Sequence, residues 1–128
     1  MVALAAGLAI GRLAIGTGLM VAPDLTLRTL GFKDPSPSTL AVARLAGGRD
    51  IVLGVAETLA LARGNRRALL ASTLAVAAAD AGDTAIFGSA WASGEKSVQE
   101  ASAKGAVSAG LATASALWVA WRLRNSSD

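Results

Sequence analysis

A chain of 128 residues has room for one domain, and residues 1–128 are read here as a single unit. A hydrophobic content of 53% and a mean hydropathy of +0.51 are high for a soluble domain of this size, and two Phe, three Trp and no Tyr leave Ala, Leu, Val and Ile as the apolar mass. The lack of Cys and His removes disulfides, thiolates and the commonest metal ligand and general base, so no metal or cofactor is expected; the net charge of +3 does not indicate a nucleic-acid partner.

Crossing the hydrocarbon of a bilayer takes about 20 helical residues. The first candidate span runs from Val2 to Ala22 and ends at Pro23, which cannot continue a hydrogen-bonded helix interior. No positive charge precedes Arg12 and the apolar stretch runs on to Ala22, so no cleaved secretory signal is expected. Residues 23–38 mix Leu25, Leu27, Leu30 and Phe32 with Asp24, Arg28, Lys33 and Asp34, the pattern of an interfacial turn of helix. The second span covers 39–62, with Ser38 or Thr39 as N-cap after Pro35 and Pro37. Arg63–Arg67 reads as a tight polar turn, and the third span covers 68–87. Ser93–Ala103 reads as a surface loop with a helical part, carrying Glu95, Lys96, Gln99 and Glu100, and the fourth span covers 104–121. The fold expected is therefore all-α, a four-helix transmembrane bundle.

A soluble bundle would show a broad polar face on each helix. Residues 68–79 offer only Ser72 and Thr73 as polar side chains, and 104–121 only Lys104, Ser108, Thr113 and Ser115. Trp91, Trp118 and Trp121 fall near segment ends, where indoles favour the membrane interface. With four spans, Arg63, Arg66, Arg67, Arg122 and Arg124 share the side of both termini, against Arg28, Lys33, Lys96 and Lys104 opposite. That bias places the chain as a multi-pass protein of the cell membrane with cytoplasmic termini.

The ionisable residues inside the spans are Arg12, Arg44, Arg49, Asp50, Glu57, Asp80 and Asp83. Each costs about 2.5–3.5 kcal/mol at a helix centre, so they should face the bundle interior and pair. Counting from span centres puts Arg12, Arg49, Asp50 and Asp80 within about 3 Å of the midplane, and Arg44 and Asp83 together on one side of it. The pairs this predicts are Arg44 with Asp83, and Arg12 or Arg49 with Asp80. Glu57 has no Arg at its depth and is either protonated or in a hydrated pocket. Helical spacing groups Gly47, Asp50, Gly54 and Glu57 on one face, and Asp80, Asp83, Thr84 and Phe87 on another. Gly7, Gly11 and Gly18 form a small-residue stripe beside Arg12, Ile15 and Gly16; Gly105, Ser108, Ala112 and Ser115 make a second smooth seam.

Several of these residues carry a family likeness. Arg12-Leu13 with Gly16, Ala22-Pro23, Arg28, Leu30-Gly31-Phe32, Ala43-Arg44, Gly48-Arg49-Asp50, Gly54 and Asp80-Ala81-Gly82-Asp83 resemble small four-helix membrane proteins of bacteria and fungi classed as domains of unknown function. The resemblance covers residues 5–90 and implies a polytopic bundle; it carries no activity, and residues beyond it match nothing named.

The charged interior points to a pocket for the polar group of a lipophilic, isoprenoid-like molecule. Paired carboxylates beside Arg can hold one acid protonated and one ionised, which makes Asp50, Asp80 and Glu57 candidate acid–base residues. Arg12, Arg44, Arg49, Asp83 and Thr84 are the candidate binding residues. The alternative is a non-catalytic membrane subunit whose Gly/Ala seams dock partner helices or a second copy. A proton- or ion-coupled transporter would need oligomerisation, because four spans are few for one protomer. No phosphate-binding loop, zinc spacing, Ser/His/Asp set or dinucleotide fingerprint is present.

Overall fold

A computed structural model describes residues 2–92 and 96–125, without the side chains of 96–100. The described residues form five helices: α1 (Val2–Val21), α2 (Pro23–Thr29), α3 (Pro37–Ala62), α4 (Arg66–Ala92) and α5 (Lys96–Asn125). Among the described residues the architecture is all-α: four long helices run alternately up and down, and the short α2 links α1 to α3 and packs on both. Ser93–Glu95 and the side chain of Glu100, expected in the polar loop, lie outside the described residues. That loop is shorter than expected, since Lys96–Ala103 is already helical and buries Ala101 and Ser102.

Local chemistry sets the helix ends. Pro23 occupies the first turn of α2, where a missing N–H costs nothing, so the chain turns at Ala22 and resumes helix at once. The cap of α3 is Ser36, neither Ser38 nor Thr39: its Oγ accepts from the Thr39 N–H at 3.2 Å, and Pro37 takes the first helical position. At the α3–α4 turn, Gly64 adopts φ 60° and Asn65 N–H reaches back to Ala60 O at 3.0 Å, closing the end of α3. Asn65 Oδ1 then accepts from Ala68 N–H at 3.0 Å and opens α4. Arg66 donates through Nε (2.9 Å) and Nη2 to Leu123 O, tying the start of α4 to the end of α5.

The long helices associate as two tight antiparallel pairs, α1 with α3 and α4 with α5, joined face to face. Backbones nearly touch where α1 crosses α3. A Cβ on Gly47 would lie 2.7 Å from Gly16 O, and one on Gly16 would lie 2.8 Å from Gly47 O. A Cβ on Gly54 would meet Leu13 Cγ at 2.9 Å. The stripe expected to pack α1 is only partly used: Gly7 and Gly11 face open space, while Gly18 sits under Thr26 of α2. Ile15, placed beside Arg12 by spacing, turns outward. On α5, Gly105 receives the Phe87 ring but Ser108 is exposed, so the seam runs through Ala101, Gly105, Ala112, Ala116, Val119 and Leu123.

Beside its apolar contacts the interior encloses charge, while many large apolar side chains face outward. Arg12, Glu57, Thr73 and Asp80 are buried, whereas Ile10, Leu45, Val52, Ile86 and Leu111 are exposed. Three helices are long and apolar enough to cross a membrane: Val2–Val21, Arg66–Ala92 and Ala101–Asn125 of α5. At most 28% of each apolar window is buried inside the protein, so their hydrocarbon faces outward, as lipid-facing helices require. The second expected span, α3, has the length but not the composition, because Arg44, Arg49, Asp50 and Glu57 interrupt it. In detergent, Gly47→Ala should destabilise the protein by about 1–3 kcal/mol, because the added methyl meets backbone that cannot move aside. Gly7→Ala and Gly11→Ala should unfold like the wild type; equal losses at all three positions in an unfolding titration would reject the Gly16–Gly47 crossing.

Candidate functional site

The polar residues converge on the surface where the α1/α3 pair meets α4. Arg12, one-third of the way from Gly16 back towards the start of α1, reaches across to both neighbours. Its Nη1 donates to Asp50 Oδ1 of α3 at 3.0 Å, and its Nη2 donates to Asp80 Oδ2 of α4. Gly16, Gly47 and Gly54 make that reach possible, since bulkier residues would hold α1 off α3 and out of range. From Asp50 the chain of charge continues to Arg49, whose Nε and Nη2 contact Asp50 Oδ1 at 3.2 and 3.0 Å. Arg49 then grips Asp83 of α4 with two parallel bonds, Nη1 to Oδ1 at 2.9 Å and Nη2 to Oδ2 at 2.7 Å. A bidentate guanidinium–carboxylate pair of this kind fixes orientation as well as distance.

Exposure grades along this series. The side chains of Arg12 and Asp80 are 9% and 7% exposed, whereas Arg49 and Asp83 reach 37% and 28%. The sealed end therefore lies at Arg12 and the open end at Arg49–Asp83.

Two turns along α3 from Asp50, Glu57 is fully enclosed. Its Oε1 accepts from the Thr73 hydroxyl at 3.1 Å; its Oε2 has no hydrogen-bond partner, and neither has Nε of Arg12. Thr73 and Asp80 are likewise two turns apart on α4, so the antiparallel α3 and α4 present two polar layers: Glu57 with Thr73, and Asp50 with Asp80 around Arg12.

Most of the expected set is thus brought together: Arg12, Arg49, Asp50, Asp80 and Asp83 form one connected series, with Glu57 in the adjoining layer. Arg44 is not part of it. The expected Arg44–Asp83 pair does not form, and Asp83 is held by Arg49 instead. Both depth and azimuth differ from the expectation: Asp83 lies level with Arg49, and Arg44, five residues earlier, points to the exposed outer face of α3. Thr84 is also apart. Its hydroxyl donates to Asp80 O of its own helix at 2.8 Å, and its methyl lines a shallow apolar groove of about 280 Å³ with Ala81, Gly110, Thr113, Ala114 and Leu117. Thr73 was seen only as a rare polar residue in an apolar segment, and the antiparallel register opposite Glu57 would have given it a role. Among the described residues no three ligating side chains converge as a metal site would need.

A family model described as a domain of unknown function (DUF4267) matches residues 9–122, and the chain belongs to that family. The match takes in α5, beyond the residues 5–90 over which the likeness was legible by motif. No curated protein and no solved structure was found to match the chain.

Removing the Arg12 guanidinium strands the buried Asp80 carboxylate away from water and leaves Asp50 to Arg49 alone. Arg12→Ala should therefore cost about 3–5 kcal/mol in an unfolding titration, whereas Arg44→Ala should leave the midpoint close to wild type. In a double-mutant cycle, Arg49→Ala and Asp83→Ala should be strongly non-additive; Arg44→Ala and Asp83→Ala should simply add. Coupling found in the second cycle and not in the first would overturn the pairing described.

Proposed function

We propose that this chain is a four-span membrane protein with cytoplasmic termini, in which α3 is the fourth span and the Arg49–Asp83 pair receives the polar end of a lipophilic molecule. The observation that carries the reading is the half-open ion pair itself. Arg49 and Asp83 are 37% and 28% exposed at the level of the helix interiors, on a surface otherwise made of side chains such as Leu45, Val52 and Ile86. In hydrocarbon, such a pair needs a further polar partner, because neither water nor lipid tails solvate its open side. The head of an isoprenoid-like or acyl-bearing molecule supplies that partner while its tail remains in lipid.

Acid–base chemistry is the second part of the proposal. The interior holds four carboxyl groups, on Asp50, Asp80, Asp83 and Glu57, against two guanidiniums. Charge balance inside a bilayer calls for protons on the surplus carboxyls, and a proton held beside an ionised acid is what general acid–base catalysis uses. Glu57, with one hydroxyl contact and a second oxygen without a partner among the described residues, is the natural store; Arg12, a donor only, positions Asp50 and Asp80 in the adjoining layer.

One observation favours a second reading, a non-catalytic subunit. Gly7 and Gly11 on α1 and Gly82 and Gly88 on α4 have nothing against them, so a partner helix could approach those positions closely. The two readings predict different mutants. After carbonate washing the protein should remain with membranes under either; release into the supernatant would remove both. For the first, native mass spectrometry should find a lipophilic molecule retained by the wild type and depleted at least tenfold in Asp83→Asn. Asp50→Asn, Asp80→Asn and Glu57→Gln should abolish turnover of that molecule with nearly intact thermal stability. Loss of stability in step with function at all three positions would return the seam to a purely structural role.

A further inference from the structure

The two ends of the bundle handle charge differently. Around α2 acids stand among the bases: Arg28 Nε donates to Asp24 Oδ2 at 2.9 Å, and its Nη2 lies 3.3 Å from Asp34 Oδ1. The opposite end gathers Arg63 at the end of α3, Arg66 and Arg67 at the start of α4, and Arg122 and Arg124 at the end of α5. Among the described residues no Asp or Glu stands at that end. The nearest acid along α3 is Glu57, sealed in the interior, and Asp128 lies outside the described residues.

The five arginines share one level. Arg66 is bound to Leu123 O, which fixes the start of α4 beside the end of α5, and the Gly64 turn joins Arg63 to Arg66 within three residues. Two indoles mark what that level is. Trp118 and Trp121 are 43% and 57% exposed just before the arginines, and the Arg122 guanidinium lies over both rings, 5.2 and 5.6 Å from their centroids. Indoles settle at the headgroup boundary, which puts Arg63, Arg67, Arg122 and Arg124 one step outward, at the depth of lipid phosphates. Of these, Arg63, Arg67 and Arg124 are exposed and have no acidic partner among the described residues.

We infer that this end face binds the phosphates of anionic phospholipids. The inference rests on the four-span reading, in which all four helix ends at this level meet the same leaflet. Guanidinium forks match phosphate oxygens in pairs, and Arg63, Arg67 and Arg124 are exposed to offer them. The occupant is a lipid and not a dissolved anion, because the arginines ring the rim of the protein above exposed apolar residues such as Leu117. Each arginine near an anionic surface contributes about a fivefold increase in affinity.

The test uses the full chain in nanodiscs of phosphatidylcholine and phosphatidylglycerol in equal amounts, with the lipids that remain bound after ejection identified by native mass spectrometry. The wild type should retain phosphatidylglycerol well in excess of its input share. The triple change Arg63→Gln, Arg67→Gln, Arg124→Gln should bring that excess down at least tenfold, and the matching Arg→Lys triple should keep most of it. Arg28→Gln with Lys33→Gln, at the other end, should leave it unchanged. No excess in the wild type, an excess indifferent to the Gln triple, or displacement of the lipid by millimolar inorganic phosphate would each overturn the inference. A carbonate wash of the same membranes separates these results from failure of the four-span reading, since a protein that does not insert is released before any lipid is counted.

Discussion

A guanidinium enclosed among helices has to find carboxylates, and in this protein that requirement falls on Arg12. It is bonded to α3 through Asp50 and to α4 through Asp80, so one side chain ties together three helices that belong to two different pairs. The apolar contacts between helices do little to specify such an arrangement in lipid, where a leucine is as well placed against a lipid tail as against another leucine. Direction and register come from the charges. Sliding α4 by one turn along α3 would move Asp80 and Asp83 about 5.4 Å from Arg12 and Arg49 and take Thr73 away from Glu57 together.

That arrangement depends in turn on very small residues. Arg12 reaches Asp50 because α1 and α3 cross with Gly16 and Gly47 in backbone contact, and Gly54 admits the Leu13 side chain further along. The α4/α5 pair is built differently, with the Phe87 ring filling the space over Gly105 and tilted at 55° to Phe32 from the connection after α2. One pair is held by close backbones and the other by an aromatic plug. The ion pairs lie between them, so the least apolar interface of the bundle is also the one most able to admit a polar visitor.

Much of this was legible from the sequence, and the failures share a cause. Element type and depth follow from one-dimensional signals: apolar length gives the long helices, Pro23 and Gly64 mark turns, and counting from a span centre puts Arg12, Asp50 and Asp80 at one level. Stripes such as Gly47, Asp50, Gly54 and Glu57 follow from helical spacing, and that face is the one turned inward. Spacing within a helix does not say which way the helix is rotated against its neighbours. Arg44 was therefore matched to Asp83 by depth although it faces away, and Gly7 and Gly11 were given a packing role that Gly16 holds. Ser36 was missed as the cap of α3 because the proline after it reads as an interruption, when it is a favoured first residue. The family match through residue 122 likewise exceeds what short motifs revealed, since α5 offers no rare residues for a motif to rest on.

The crossing of Gly16 over Gly47 also bears on how such a chain could be made. As a fourth span, α3 would enter the membrane carrying Arg49, Asp50 and Glu57, at a cost of several kcal/mol if it entered alone. The long helix synthesised before it, α1, carries both a fitted backbone surface and a guanidinium for Asp50, and the short α2 between them packs on both. Partitioning of α3 into lipid would thereby be coupled to α1 already at the site of insertion, and the pair would behave as one hairpin-like unit of biogenesis. Thr73 and Asp80 of α4 would then supply the Glu57 Oε1 and the Arg12 Nη2 with partners that α1 and α3 lack. With α3 as a span, the order of translation would be the order in which each helix can be accepted by the bilayer.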